Sequence, residues 1–243
     1  MPINEVKGIT SMTATVGLMG AMQEEIELLL AGMDNVKQHT YAGIHYAEGD
    51  IYGQHVVVCQ SGVGKVNAAV TTQMLIEKFG VSKVIFTGVA GAVHPELEIG
   101  DIVVSTTCIQ HDMDVTPLGF KRGEIPYQEV SAFPADSGLI SLAEKACEQL
   151  AVPLRKGIVL SGDQFIASKE TVKRLYEELD GACVEMEGAA VAQVCYMNDI
   201  PFVILRGMSD KADGSAHVNF AEFTVKASHQ SHKIVESMLL QLG

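Results

Sequence analysis

Short apolar runs of strand length alternate with amphipathic stretches of helical period along nearly the whole chain, a pattern that fits a layered α/β domain and little else. Residues 13–19 read as a buried strand, and Gly20-Ala21-Met22 turns the chain into a helix beginning QEEIELLLAGM, with its acids in the first turn. The runs TYAGIHYAEGDI and QHVVVCQ, separated by Tyr52-Gly53, predict an antiparallel hairpin, so the sheet is mixed. A helix over 65–79 and strands at VIFTGV and DIVVSTTCI follow. Beyond residue 134 come helix GLISLAEKACEQL, strand GIVLSG, helix SKETVKRLYEEL, the strand-like ACVEM, helix GAAVAQVCYM, strand FVILRGM and a C-terminal amphipathic helix. Between them, residues 110–134 carry scattered Gly and Pro with no period and predict a long loop of the kind that serves function or subunit contact.

No repeat or low-complexity linker interrupts the alternation, so the expected architecture is a single three-layer α/β/α domain over 13–243 with a mostly parallel or mixed central sheet. Hydrophobic residues make up 47% and charged residues 19%, enough apolar material to offset chain entropy and too few charges for a disordered chain. A formal charge of −13 with no Lys/Arg run argues against nucleic-acid partners. The opening residues have neither a basic start nor an apolar core, and no apolar run reaches the ~20 residues of a membrane span. A cytoplasmic protein with no membrane partner is therefore expected. The five cysteines form no CxxC pair and are odd in number, which reads as reduced core thiols.

In sheets of this type ligands gather beyond the carboxyl ends of the strands, and four such ends are polar or glycine-rich. They are Gly20 to Glu25, Gly88-Val89-Ala90-Gly91, Val184-Glu185-Met186-Glu187-Gly188 and Arg206-Gly207-Met208-Ser209-Asp210. Carboxylates from several adjacent strand ends would crowd negative charge into one cleft, an arrangement suited to a developing cation or to proton exchange. Singly, each cluster has a plainer reading. Glu24 and Glu25 are acids of a first helical turn, Gly88 and Gly91 suit a strand-to-loop turn, and Glu185 and Glu187 either share one face of a strand or include a helix N-terminal acid.

Two other signals are weaker. SGVGKV resembles a phosphate loop, but that motif needs Gly where Cys59 stands and Ser or Thr where Val66 stands. His111-Asp112-Met113-Asp114 offers metal-capable side chains without a second ligand cluster, so it reads as a solvated loop, and no metal is expected.

The ordered series GAMQEE, SGVGKVNAA, TGVAGA, GDIVVS, HDMDVT, SGDQFI, VEMEGAA and RGMSDKAD is similar to the methylthioadenosine/S-adenosylhomocysteine nucleosidase family, from about Val16 to Leu242. The resemblance implies a nucleoside phosphorylase-like fold and a hydrolase that splits the N-glycosidic bond of 5′-thio-substituted adenosines, with no cofactor. It implies that Asp210 is the acid serving the leaving adenine, that Glu25 activates the attacking water, and that Glu187, with the Met186 backbone, holds the ribose hydroxyls. Phe165 and Ile166 match the pair that stacks on adenine and reads its edge. Met22, Val63 and Phe220 match the apolar wall near the ribose and the 5′ substituent, and Arg206 and Ser209 support the carboxylates and bound water. Glu185, Val89, Ala90 and Gly91 belong to the same expected substrate-binding set.

The resemblance further implies a homodimer in which Leu118, Phe120 and Pro126, on the long loop, cap a partner's 5′ pocket. Three features depart from the pattern or from wider relatives. Val89 stands where some members have Ser, and Leu118 replaces an aromatic residue of others. Phosphorolytic members of the wider superfamily carry Arg at places held here by Phe86-Thr87 and Gly20-Ala21-Met22-Gln23, which favours water over phosphate as the nucleophile. Residues 1–12 extend beyond the usual start and are expected to be disordered.

Overall fold

The computed structural model describes residues 14–212 and 220–242, with side chains in the last segment from 223 onward. The expectations for residues 1–12 and for the Phe220 side chain lie outside the described residues. In chain order the elements are β1 (Val16–Gly20), α1 (Gln23–Ala31), β2 (Asp34–Tyr41), β3 (Ile44–Ile51), β4 (Gln54–Gln60), α2 (Lys65–Phe79), β5 (Lys83–Ala92) and β6 (Ile102–Gln110). There follow β7 (Ala132–Pro134), α3 (Ser137–Leu150), β8 (Leu154–Ser161), α4 (Lys169–Leu179), β9 (Gly181–Glu185), α5 (Gly188–Met197), β10 (Phe202–Asp210) and α6 (Phe220–Gln241).

The described strands form one mixed sheet in which β5 is the pivot. Its first residues, Lys83 to Phe86, pair in parallel with β1, which continues through β4 into the antiparallel β3 and β2. Its other edge pairs in parallel with β10 from Val84 to Gly91, and its last two residues turn to pair antiparallel with β9. Since β10 joins β6, β6 joins β8 and β8 joins β9, this half of the sheet closes on itself. The mixed three-layer fold matches the sequence expectation, and the closure adds to it. Past Phe86, β5 stays with β10 while β1 turns off into α1, so the sheet splits. A strand-end divergence of this kind is where α/β sheets leave a crevice.

Apolar side chains of both sheet faces account for the layers. On one face Ile26, Leu29, Leu139, Ile234 and Met238 of α1, α3 and α6 pack on Leu18, Ile85 and Val203. On the other, α2 and α5 press Ala68, Leu75, Ala189 and Ala192 against Phe86, Val103 and Ile204. The run of small residues at the start of α5 lets that helix approach closely and is buried nearly throughout. Helix α4 covers the β8–β9 end through Leu175.

The expected hairpin is present, with Tyr52 and Gly53 at φ 50° and 77°. A second two-residue turn at Ala42-Gly43, φ 52° and 76°, joins β3 to β2, a strand that the sequence reading leaves out. β2 is a polar edge strand exposed along most of its length, so no apolar alternation announces it. The stretch 110–134 is mainly loop, with one turn of 3-10 helix at Thr116–Leu118 and β7 laid against β6. All five cysteines are free and buried. No helix among the described residues is long and apolar enough to cross a membrane.

Candidate active site

The split between β1 and β5 is bridged by one side chain. Glu25, in the first turn of α1, folds back so that one carboxylate oxygen accepts the backbone N–H groups of Ala21 at 2.6 Å and Met22 at 2.9 Å. This is the carboxylate half of a capping box. Its other oxygen reaches across the gap to the N–H of Val89 at 3.0 Å. Glu24, one residue earlier, is exposed and takes the ordinary dipole-complementing role. Gly88 makes room for the bridge, because a Cβ there would lie 2.5 Å from Glu25 Oε1 and 2.2 Å from Arg206 Nη1. Burial pushes the Glu25 carboxyl above its usual range, against the opposing pull of Arg206 and the three N–H donors. Desolvation is the largest of these influences, and it outweighs the favourable charges and donors around the carboxylate.

Behind Glu25, the guanidinium of Arg206 lies fully buried over the ring of Phe86, 4.1 Å from its centroid. Its Nη2 donates to Glu185, and Glu187 Oε2 lies 4.0 Å away. Burial disfavours the charge on Arg206, but the carboxylates of Glu185, Glu25 and Glu187 outweigh that and hold it firmly protonated. Glu185 is saturated, since besides Arg206 it accepts the Ser161 hydroxyl and the N–H groups of Glu187 and Gly188 at the start of α5. Of the two readings of the glutamate pair, Glu185 is therefore the helix N-terminal acid and the counter-ion of Arg206.

Glu187 is left facing the cleft, where one oxygen accepts the N–H of Gly64 at 2.8 Å. Burial and then the like charge of Glu185 push its carboxyl up to about 7, with Arg206 and the Gly64 N–H pulling the other way. Nε and Nη1 of Arg206 have no hydrogen-bond partner among the described groups, so buried donors stand next to Glu25 and Glu187.

The third acid closes the far side. β10 bulges between Met208 and Asp210, which brings Asp210 opposite Gly91 at the end of β5. Asp210 accepts the Ala212 N–H at 2.6 Å and the Ser209 hydroxyl at 3.0 Å, and it is 4% exposed. A Cβ on Gly91 would lie 3.0 Å from Asp210 Oδ1 and 2.8 Å from the Ala212 methyl, so glycine is needed for this approach.

These acids share one cleft of about 250 Å³. Glu25, Glu185, Glu187, Ser209 and Asp210 supply its polar lining, with Met22, Val63, Val89, Ala90 and Gly91 along the β1 and β5 side. Phe165, Ile166 and Met186 line the opposite side, and Arg206 sits beneath the lining rather than in it. Val63 and Phe165 are about half exposed at the mouth, at 50% and 54%. Ala21, Gln164 and Val184 also line the cleft; they lie within the motifs picked out from sequence but were given no individual role there. Leu118, Phe120 and Pro126 do not line this chain's cleft, and Leu118 is 73% exposed.

SGVGKV is the loop into α2 and delivers its Gly64 N–H to a carboxylate rather than to a phosphate. HDMD is less solvated than its composition suggests: His111 is buried, and Asp112 forms an ion pair with Lys65 at 2.6 Å. No cluster suited to holding a metal ion occurs among the described residues.

Residues 15–240 match the model of the phosphorylase superfamily. A 5′-methylthioadenosine/S-adenosylhomocysteine nucleosidase of Shewanella sediminis is 42% identical over 229 residues, covering 93% of this chain and 99% of the relative. The nucleosidase of the same type from Neisseria meningitidis, solved with methylthio-immucillin-A, is 39% identical and superposes with a TM-score of 0.90 over 93% of this chain and 99% of that one. A futalosine hydrolase of Helicobacter pylori is also similar, at 35% identity and TM-score 0.90 over 96% of this chain and 100% of that one. On the full-length match in sequence and structure, the chain belongs to the 5′-methylthioadenosine/S-adenosylhomocysteine nucleosidase family of the phosphorylase superfamily.

Proposed function

We propose that this protein hydrolyses the N-glycosidic bond of 5′-methylthioadenosine and S-adenosylhomocysteine, and of 5′-deoxyadenosine, releasing adenine and the 5-substituted ribose. The observation that carries the reading is the convergence of Glu25, Glu187 and Asp210 on one cleft beside a buried arginine, in a chain about 40% identical to nucleosidases of that name over nearly its full length. Binding alone requires no such set of acids, whereas cleavage needs a proton for the leaving base, a base for water and a negative charge near the sugar.

As the C1′–N9 bond stretches, its electron pair moves onto the purine and positive charge gathers on the ribose. Asp210 meets the purine with a proton or a strong hydrogen bond at its imidazole side, neutralising the charge that builds there. Water attacks C1′ while Glu25 takes its proton. The raised affinity of Glu25 for that proton favours the transfer, because a general base works best with a pKa near the operating pH. Glu187 accepts hydrogen bonds from the ribose hydroxyls and places negative charge near the sugar cation. Arg206 holds Glu185 and Glu187 in place, and its unpartnered N–H groups suit a water beside Glu25. Phe165 and Ile166 provide a face and an edge for adenine, and Met22 and Val63 an apolar wall for a thioether.

Three glutamates around this centre disfavour a phosphate dianion, and the charge of the buried Arg206 guanidinium beside them is offset by their carboxylates, with Nη2 donating to Glu185. The chemistry needs no metal or cofactor. In a panel of methylthioadenosine, S-adenosylhomocysteine, futalosine and inosine, the two thioadenosines are expected to turn over and inosine to remain intact. Futalosine as the preferred substrate would move the protein to the specificity of its H. pylori hydrolase relative.

The working unit is a cytoplasmic homodimer in which the loop bearing Leu118, Phe120 and Pro126 covers the partner's half-exposed cleft mouth. Support comes from Leu118 and Tyr127, 73% and 96% exposed on that loop, an apolar surface in need of a cover. Sedimentation at assay concentration is expected to return twice the chain mass, and a fully active monomer would contradict the assembly.

A further inference from the structure

Helix α2 begins without a side-chain cap of its own. Its N-cap is Gly64, at φ 98°. The missing acceptor comes from the far side of the cleft: Asp163, on the loop after β8, accepts the N–H of Lys65 at 2.8 Å. A Cβ on Gly64 would lie 3.2 Å from that same Asp163 oxygen, so glycine and aspartate fit as a pair. Asp163 is in turn tied down, because its own N–H donates to Asp112 at 3.0 Å, and the other Asp112 oxygen takes the Lys65 ammonium at 2.6 Å. Lys65 also donates to Gln110 at 3.0 Å.

Three loops are thereby locked together around one turn of helix. The N–H preceding that turn, on Gly64, is the one held by Glu187, and the residues following Asp163 are the base-side lining Gln164, Phe165 and Ile166. We infer that Asp163, seated by Asp112 and Lys65, is a positioning residue for glycosidic cleavage: it fixes the Gly64 N–H against Glu187 and so couples closure of the adenine side to the carboxylate on the ribose side. The inference rests on the reading of Glu187 as the ribose-binding acid. The phosphate-loop look-alike and the HDMD segment, which the reaction itself leaves unused, become the two halves of this clamp.

Glu187 is faced by Glu185 from β9, Arg206 from β10, Glu25 from α1 and the Gly64 N–H ahead of α2. Losing the N–H raises its pKa, since that bond stabilises only the ionised form. Activity requires the ionised form, so the acid-side fall of the kcat/KM profile must move to higher pH.

The test is adenine release against pH for Asp163→Ala, Asp163→Asn and Asp112→Ala, each alone and combined with Glu187→Gln. Asp163→Ala is expected to lower kcat/KM roughly 10- to 100-fold and to move the acid limb up by about half a pH unit or more. Asp163→Asn loses the same charge but keeps an acceptor for Lys65, and should return to within about threefold of the parent. Asp112→Ala should move the limb in the same direction by less. In the Glu187→Gln background the Asp163→Ala effect should vanish, because both changes act on one contact.

An unchanged acid limb in Asp163→Ala, with only a lowered melting temperature, would overturn the inference by reducing Asp163 to a structural cap. An undiminished Asp163→Ala effect in an already impaired Glu187→Gln background would also overturn it, by routing the effect elsewhere. Near-parent activity of Glu187→Gln alone would instead remove the ribose-binding reading on which the inference stands.

Discussion

Asp210→Asn is expected to lower kcat for adenine release by roughly 10²- to 10⁴-fold, with KM and the melting temperature close to those of the parent. Both oxygens of Asp210 are already partnered, one by the Ala212 N–H and one by the Ser209 hydroxyl. An asparagine oxygen can keep the first bond, and the hydroxyl can rotate to accept from the new amide, so the fold loses little. What disappears is the ability to pass a proton to the departing purine, which matters only once the glycosidic bond has begun to break. A group used solely in the transition state lowers kcat and kcat/KM together. Steady-state kinetics with a thermal melt on the same sample checks both halves, and turnover within tenfold of the parent would remove Asp210 from its role.

Arg206→Met is expected to be the most damaging single change to stability. Arg206 and Glu185 are both buried, and removing one partner of such a pair costs about 3–5 kcal/mol because the other is left uncompensated. At about 2–4 °C per kcal/mol for a domain of this size, the melting temperature should fall by roughly 6–20 °C.

The effect also has a sign in pH. Without the guanidinium, Glu25 and Glu187 lose the positive charge that pulls their pKa values down, and those folded-state values rise further above the unfolded ones. A carboxyl whose folded pKa is raised holds its proton in the native state, so the stability it contributes is present at low pH and lost as pH rises through the folded pKa. The parent already shows this direction through Glu187, raised from 4.5 to about 7. The deficit of the variant should therefore be smaller near about pH 5 and larger near about pH 8. Melts at both pH values test this, and a deficit of equal size at the two would mean that packing over Phe86 matters more than charge.

Local pattern made most of the fold legible. Alternating apolar runs located the helices and nearly every strand, and Tyr52-Gly53 marked its hairpin. β2 escaped because an exposed edge strand carries no apolar alternation. The closure through β9 and β10 escaped because it depends on β5 serving both edges and then turning at Gly91-Ala92, a matter of register that no short window contains.

The site divides in the same way. The acids at the strand ends were visible as residue types in the right places, and the family resemblance gave Glu25, Glu187 and Asp210 their expected roles. Their ionisation was not visible, because the desolvation of Glu25 depends on what surrounds it. The division of labour between Glu185 and Glu187 came only with the position of Arg206. The clamp of Asp112, Lys65 and Asp163 joins residues from three separate loops, so no short motif carries it, and HDMD read alone suggests a solvated loop.

The central claim is that water, not phosphate, attacks a thioadenosine in this cleft. The most direct test is adenine release from methylthioadenosine by the purified protein in phosphate-free buffer, repeated with phosphate added and with the sugar product identified. The geometry predicts the same rate in both and free methylthioribose as the only sugar. Release that depends on phosphate, with a sugar 1-phosphate formed, would contradict it and assign the chain to the phosphorolytic side of its superfamily.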